Sequence, residues 1–282
     1  MTIRTGTSER PDLPIAVVIG GGGMGMSTAK RLGQHCRIVL ASLSAEKNPQ
    51  REAALKEDGI DAVAVQCDMT DPKSVENLAR FVAERGPLRT LAHVAALSPS
   101  MGDWRTLLKV NLIGAKLIEE AMLGLAGQGT AAIFVSSLAG HSTAPPSQEV
   151  IDLLDDPLQE GFFEKLEALV PNHTSGAAYG LSKLALNRMC QRRAAAWGRK
   201  GARIVSMSPG MIATPMGALE FSGPNREIKL GLLARTPLGR EGTMVETADA
   251  IEFLASNRAS FITGTDLLVD GGAAAATRFP EG

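Results

Sequence analysis

A short apolar run that leads directly into a cluster of glycines is the feature that most limits how this chain can fold. Residues 15–19, Ile-Ala-Val-Val-Ile, form a continuous apolar segment typical of a parallel strand covered on both faces. Gly20, Gly22 and Gly25 then satisfy the spacing G-x-G-x-x-G, and a helical pattern follows to residue 33. In this context the glycines allow a tight turn, and a pyrophosphate can sit on the helix N-terminus. The sequence therefore favours a dinucleotide-binding unit over an ordinary glycine-rich turn.

The rest of the chain continues this alternation of strands and helices. Strand-like apolar runs occur at residues 37–42, 60–65, 88–94, 131–135, 202–207 and 266–269. Helical patterns separate them at residues 46–57, 74–84, 103–125, 179–197 and 245–256. This order predicts an α/β fold, a doubly wound parallel seven-stranded sheet in a single domain. We assign residues 14–275 to the domain, 1–13 to a flexible N-terminal arm and 276–282 to a C-terminal tail.

Composition and charge exclude several classes of protein. A formal net charge of −1 gives no reason to expect nucleic acid or an anionic membrane as a partner. Cys36, Cys67 and Cys190 lie far apart without a C-x-x-C motif, which argues against a disulfide framework or a metal site. No apolar run approaches the roughly 18 residues that span a bilayer, and the N-terminus lacks the apolar core of a signal peptide. We therefore expect a cytoplasmic protein that acts on a small molecule.

The end of the second predicted strand bears on the choice of nucleotide. Ser42 stands where an acidic residue would bind the adenosine ribose of NAD. Without that acid a 2′-phosphate is not repelled, and Ser42, Ser44, Lys47 or Arg51 could hold it. No arginine that could bind the 2′-phosphate follows Ser42 directly. The sequence therefore favours NADP over NAD because it permits the phosphate, and not because it supplies a clear binding group.

Tyr179 and Lys183 form the strongest candidate for chemistry. Their spacing in a helical pattern puts both side chains on one face, about 6 Å apart at Cβ. A lysine ammonium beside a phenol favours the phenolate and lowers the tyrosine pKa from its usual value of about 10. Such a tyrosine can give and take protons near neutral pH. The pattern alone is weak, because an exposed tyrosine beside a solvated lysine has the same spacing.

Other polar residues occur where the predicted strands end. Ser137 follows the fifth strand, at the sheet edge where ligands bind in open parallel sheets. Asp68 follows the third strand and could meet an adenine or cap the next helix, although Asp71 before a proline suits the cap better. Asn111 lies among apolar residues of a long helical pattern, as either an internal hydrogen-bond bridge or a surface residue.

In this order and spacing, the motifs resemble the short-chain dehydrogenase/reductase family in its classical form. The resemblance rests on the glycine turn, Asp68, Asn111, Ser137, Tyr179-x-x-x-Lys183 and the segments 208–216 and 261–272. It implies that Tyr179 is the catalytic acid/base, that Lys183 lowers its pKa and binds the nicotinamide ribose, and that Ser137 hydrogen-bonds the substrate oxygen. Asn111 would hold a water that links Lys183 to solvent. The implied cofactor-binding set is Gly20, Gly22, Gly23, Met24, Gly25, Ser42, Asp68, Met69, Ala95, Tyr179, Lys183, Pro209, Gly210, Ile212 and Thr214.

The chain departs from the family pattern at three places. The glycine turn is shifted, so the glycines that touch phosphate are open, and Val94-Ala95-Ala96 replaces the usual Asn-Ala-Gly, which affects local stability. Residues 141–175 form an insertion before Tyr179 that is acidic and amphipathic. We expect it to be a lid over the substrate or a subunit contact. His141 and His173 within it fit surface residues better than additional acids.

Together these features predict an NAD(P)-dependent oxidoreductase that interconverts a ketone and a secondary alcohol. The apolar insertion suggests a bulky alicyclic, aromatic or steroid-like substrate, with residues 215–240 as a mobile flap. The resemblance implies a homotetramer or homodimer that uses helices at 102–124 and 176–198. A 3-oxoacyl thioester reductase is the alternative enzyme, but it would need a basic docking patch. A non-catalytic nicotinamide sensor would be expected to have lost Ser137, Tyr179 or Lys183.

Overall fold

A single seven-stranded sheet organises the molecule. The computed structural model describes residues 10–215, 217–218 and 226–279. The strands are β1 Ile15–Ile19, β2 Arg37–Ser42, β3 Ala62–Gln66, β4 Leu88–His93, β5 Ala131–Val135, β6 Arg203–Pro209 and β7 Asp266–Val269. Their order is β3-β2-β1-β4-β5-β6-β7, and all pairs are parallel. The predicted doubly wound fold is confirmed, and its direction of winding reverses between β1 and β4, where such sheets open a crevice for ligands.

Helices cover both faces of the sheet. They are α1 Gly23–Leu32, α2 Asn48–Glu57, α3 Pro72–Ala83, α4 Trp104–Leu108, α5 Ala115–Leu125, α6 Ala139–Ser142, α7 Gln148–Asp155, α8 Phe162–Leu169, α9 Ser175–Gly198, α10 Arg226–Arg235, α11 Met244–Ala255 and α12 Ala273–Arg278. Side chains of β1 alternate between two apolar cores, one under α3, α5 and α9 and the other under α1, α2 and α11. This two-sided burial explains why β1 is a continuous apolar run.

One predicted boundary differs from the structure, at the C-terminal end of the domain. Helix α12 includes residues 276–278, which the sequence placed in the tail. Residues 1–9 of the predicted arm, 216 and 219–225 of the predicted flap, and 280–282 of the tail lie outside the described residues. In the part of the chain that is described, no helix has the length and apolar character needed to cross a membrane.

The long helix predicted for residues 103–125 is present, but it is not a regular α-helix. A π-helical turn, Lys109–Gly114, separates α4 from α5. It carries Asn111, whose Oδ1 accepts from Leu97 N at 2.8 Å and whose Nδ2 donates to Leu97 O at 3.0 Å. The side chain is buried, so Asn111 is the internal bridge that the pattern had left open. A π turn of this kind inside an α-helix often marks a functional site.

The insertion packs as a fixed layer on α4 and α9. Its helices α7 and α8 share one apolar core with Trp104, Leu108 and Leu181. The acidic residues of the insertion are used in this docking, since Asp155 is only 5% exposed and bonds Arg188 at 2.7 Å. On the other side, Arg105 of α4 bonds Glu167 at 2.6 Å. The insertion therefore covers one side of α4 and α9, which lie in the two helical segments that the resemblance assigned to a subunit contact.

Candidate functional site

The glycine turn after β1 has the geometry of an anion-binding helix terminus. Gly20 has φ +114°, a value that favours glycine, and its N–H donates to Ala41 O at 2.8 Å. Gly22 caps α1 without a side-chain hydrogen bond, and nothing lies within 4 Å of a Cβ built on it. A Cβ on Gly25 would lie 1.8 Å from Gly20 O. Gly20 therefore allows the tight turn, Gly22 leaves the approach to α1 open, and Gly25 allows close packing, as the motif requires.

Gly25→Ala is expected to weaken nucleotide binding by at least about tenfold, or about 1.4 kcal/mol. The added methyl group overlaps the backbone carbonyl of Gly20, so the glycine turn must shift to accommodate the methyl group. Titration by nucleotide fluorescence measures the change. Gly124→Ala is the matched control, because its Cβ in α5 meets nothing within 4 Å. Wild-type affinity in Gly25→Ala would show that the turn does not touch the nucleotide.

A cation held by neutral partners lies beside the glycine turn. Arg51 of α2 donates from Nη1 to Ser42 Oγ at 2.7 Å and to Asn48 Oδ1 at 3.2 Å. Ser42 Oγ itself donates to Asn48 Oδ1 at 2.7 Å. A Cβ on Gly21 would lie 2.6 Å from Arg51 Cζ, so the guanidinium also covers the turn. Among the described residues no carboxylate forms a salt bridge with Arg51. Of the four residues proposed from sequence, the structure brings Ser42 and Arg51 together, and it adds Asn48.

The residues predicted at the adenine end are engaged in local structure. The carboxylate of Asp68 accepts from Thr70 N at 2.9 Å and from Thr70 Oγ1 at 2.8 Å. Asp71 caps α3 by accepting from Lys73 N at 3.0 Å, which confirms the predicted cap. Met69 is buried against Gly114 of the π turn. A contact between Asp68 or Met69 and a nucleotide stays a prediction.

Helix α9 brings Tyr179 and Lys183 to the carboxyl end of β5. Lys183 is 2% exposed, its Nζ donates to Val135 O at 3.0 Å, and this nitrogen lies 5.7 Å from the centre of the Tyr179 ring. Ser137 follows two residues after Val135, and its Oγ accepts from Ala139 N at 3.2 Å. The π turn with Asn111 packs against the same helix. The four residues predicted to be catalytic therefore lie on elements that meet at one edge of the sheet.

The predicted nicotinamide-binding residues border this edge. Pro209 ends β6, and its carbonyl accepts from Leu138 N at 2.9 Å, next to Ser137. Gly210 N donates to Val269 O at 3.0 Å. In the following turn, Ile212 forms a bridge with Gly242, and Thr214 Oγ1 accepts from Gly217 N at 2.9 Å. Ala95 lies on the opposite side, against Gly20.

Burial lowers the pKa of Lys183 from 10.5 to about 7. The folded chain releases this proton at a lower pH than the unfolded chain, so the contribution of Lys183 to the stability of the free protein should rise between pH 7 and pH 10.5. Lys183→Met removes this dependence, and we expect it to stabilise the free protein by a few kcal/mol at pH 7 and by less at pH 10. Urea unfolding at both pH values measures the difference, with exposed Lys200→Met as control. An equal gain at both pH values would contradict the buried amine.

A histidine that the sequence analysis missed lies close to this lysine. His93 ends β4, is 1% exposed and stacks on Phe134 with ring centres 5.2 Å apart. Burial and the Lys183 charge lower its pKa to about 3, so it is neutral. Neither ring nitrogen has a hydrogen-bond partner in the described structure. Its position directly before Val94-Ala95-Ala96 was the available signal.

Comparisons with known proteins agree with this geometry. Residues 14–148 match the family model described as short chain dehydrogenase, and residues 165–274 match the one described as Enoyl-(Acyl carrier protein) reductase. Short-chain dehydrogenase/reductase bsc3 from Alternaria brassicicola is 32% identical and covers 92% of this chain and 95% of its own length. Cis-4-hydroxycyclohexanecarboxylate dehydrogenase from Sinomonas cyclohexanicum is 28% identical, with the same coverage. An actinorhodin polyketide ketoreductase solved with NADPH shares the fold, with a TM-score of 0.74, 22% identity and coverage of 94% and 98%.

Proposed function

Because the chain belongs to the short-chain dehydrogenase/reductase family, we propose that it interconverts a ketone and a secondary alcohol with Tyr179 as the general acid/base. The observation that supports this most is the buried Lys183 amine, which lies beside the Tyr179 ring at the end of β5. A lysine is rarely buried without a carboxylate unless its charge is used. Next to the Tyr179 phenol, the charge can stabilise a phenolate.

The residues present fit a nicotinamide dinucleotide. The first turn of α1 starts at Gly23 behind a glycine cap, so its N–H groups can bind a pyrophosphate. The turn leaves open space at Gly22, whereas Gly25 is packed against the Gly20 carbonyl. The nicotinamide end would lie between Pro209–Thr214 and α9.

The protein residues supply proton transfer and charge stabilisation. A bound reduced nicotinamide supplies the hydride. As the ketone carbon is reduced, Tyr179 donates its hydroxyl proton to the substrate oxygen. The negative phenolate that remains favours the protonated form of Lys183, and the resulting ammonium stabilises it. The Ser137 hydroxyl donates a hydrogen bond to the same oxygen, worth ~3 kcal/mol if it acts like other such donors. Asn111 supports the site by fixing residue Leu97 through both of its backbone groups.

We favour NADP as the cofactor. Arg51 lies between Ser42 and the glycine turn, where the adenosine 2′-phosphate would lie, and it has neutral partners there. An arginine binds phosphate through several donors of fixed geometry, which suits this role. Ser42 brings no negative charge that would repel the phosphate.

The substrate we propose is a bulky, mostly apolar ketone, with an alicyclic ring as the first choice. The name of the relative from Sinomonas cyclohexanicum, a dehydrogenase of a hydroxycyclohexane carboxylate, supports the ring. The apolar core shared by the insertion, α4 and α9 supports a large apolar wall close to Tyr179. We propose that the insertion shapes this wall while it remains docked through Asp155 and Arg105.

Two measurements on the purified chain test the function. Fluorescence titration with NADPH and NADH comes first, and we expect NADPH to bind more tightly by about tenfold or more. Reduction of 4-oxocyclohexanecarboxylate, a steroid ketone and a 3-oxoacyl thioester is then followed by the absorbance of reduced nicotinamide. Turnover of a ring ketone supports the proposal, whereas turnover of the thioester alone favours the alternative enzyme. Tight nucleotide binding without any turnover would favour a sensor.

A further inference from the structure

A histidine that the proposed function leaves unused connects the turn carrying Ser137 to the edge of the sheet. His141 lies in α6, and its Nε2 is 2.8 Å from Oδ2 of Asp266, the first residue of β7. The Asp266 side chain is only 6% exposed, so the pair is largely withdrawn from solvent. His141 is thus partly exposed, at 21% of its side chain, and it is also bonded to a nearly buried carboxylate, which the sequence did not reveal.

The carboxylate of Asp266 extends this connection to β6. Its Oδ1 accepts from Ser208 Oγ at 3.0 Å. Ser208 directly precedes Pro209, whose carbonyl accepts from Leu138 N at 2.9 Å. The contacts thus form a closed loop from the Ser137 turn through His141 and Asp266 to β6 and back.

The same short helix also touches α9 at the lysine. A Cβ on Gly140 would lie 2.9 Å from the carbonyl carbon of Lys183, and Ser136 Oγ donates to Lys183 O at 3.0 Å. The side-chain amide of Asn187, one turn further along α9, lies 3.4 Å from His141 Nε2. Any movement of α6 would therefore displace Ser137 relative to Tyr179 and Lys183.

We propose that His141, held by Asp266, is a positioning residue that fixes the Ser137 hydroxyl in the direction of the substrate oxygen. This inference rests on the proposed function, in which Ser137 bonds that oxygen. Helix α6 has only four residues, and a helix of that length is not stable without tertiary contacts. The His141–Asp266 hydrogen bond supplies one such contact.

The kinetic test uses the full chain and a ring ketone. His141→Ala is expected to lower kcat about tenfold, with KM and the nucleotide Kd within about twofold. In a Ser137→Ala background the same change should alter kcat by less than about twofold, because the hydroxyl to be positioned is gone. His141→Gln keeps an N–H donor and should recover part of the loss. Lys200→Met, an exposed site beyond the C-terminus of α9, should leave kcat unchanged.

A second measurement does not depend on turnover. In the free protein, Asp266→Asn is expected to shift the backbone amide resonances of Ser137 and Leu138, whereas exposed Lys200→Met leaves them in place. Unchanged resonances in Asp266→Asn would overturn the inference. So would an equal loss of kcat on His141→Ala in both Ser137 backgrounds. Full activity of Ser137→Ala has a different meaning, since it would remove Ser137 from the proposed mechanism itself.

Discussion

Tyr179→Phe is expected to lower kcat by about a thousandfold while nucleotide affinity stays within about twofold. The substitution keeps the ring beside Lys183 but removes the hydroxyl that gives a proton to the substrate oxygen. Tyr179 is the only tyrosine of the chain, so no second phenol can replace it. Initial rates at saturating ketone and nucleotide, together with a fluorescence titration, separate the two effects.

The single tyrosine also gives this prediction a direct control. Phenolate absorbance measured against pH reports Tyr179 alone in the wild-type protein and must vanish in the phenylalanine variant. Phe134→Leu is not a suitable control, because it disturbs the stacked His93, whereas exposed Phe261→Leu leaves the core intact. Retention of more than a tenth of the wild-type kcat in Tyr179→Phe would exclude the phenol as the acid/base.

The second large effect concerns the nucleotide. Arg51→Ala is expected to weaken NADPH binding by about 10- to 100-fold and NADH binding by less than about threefold. A hydrogen bond to a charged group is worth about 1.5–3 kcal/mol, and only NADPH offers the 2′-phosphate. Ser42→Asp should have the same direction, since a carboxylate at the end of β2 would repel the phosphate and pair with Arg51. Dissociation constants for both nucleotides measure the outcome.

Lys47→Ala is the matched control for this series. The sequence left Lys47 and Arg51 as equal candidates, but Lys47 is exposed and Arg51 contacts Ser42. We expect Lys47→Ala to change either affinity by less than about twofold. Equal weakening of both nucleotides in Arg51→Ala would show that this arginine supports the glycine turn and does not select the phosphate.

The elements of the sheet could be predicted from sequence because their signal is local. β1 is buried on both faces, which forces a continuous apolar run, and the spacing of Tyr179 and Lys183 is fixed by helix geometry. The state of Asn111 could not be predicted. Its bridge depends on Leu97, which lies on a loop 14 residues earlier, and helical periodicity carries no information about that partner.

The polar contacts of the site were harder to predict for the same reason. Arg51 reaches Ser42 through a long side chain, so its role depends on where α2 starts, and the structure places that start at Asn48. His141 meets Asp266 across 125 residues of sequence, which no spacing rule connects. His93 is an imidazole in an apolar core, and the pattern of apolar residues along the sequence does not predict that it is buried. Such pairings become visible only once the sheet brings distant segments together.

The π turn at Lys109–Gly114 changes the direction in which the side chains after it point, within one continuous helix. A residue advances an α-helix by about 100°, so one extra residue in a turn rotates everything after it by about that angle. The helix therefore presents Trp104 and Leu108 to the insertion, and Ile118 and Met122 to the sheet. Deleting one residue from this turn would restore a regular α-helix. Either the side that packs on the insertion or the side that packs on the sheet would then turn away from its apolar core.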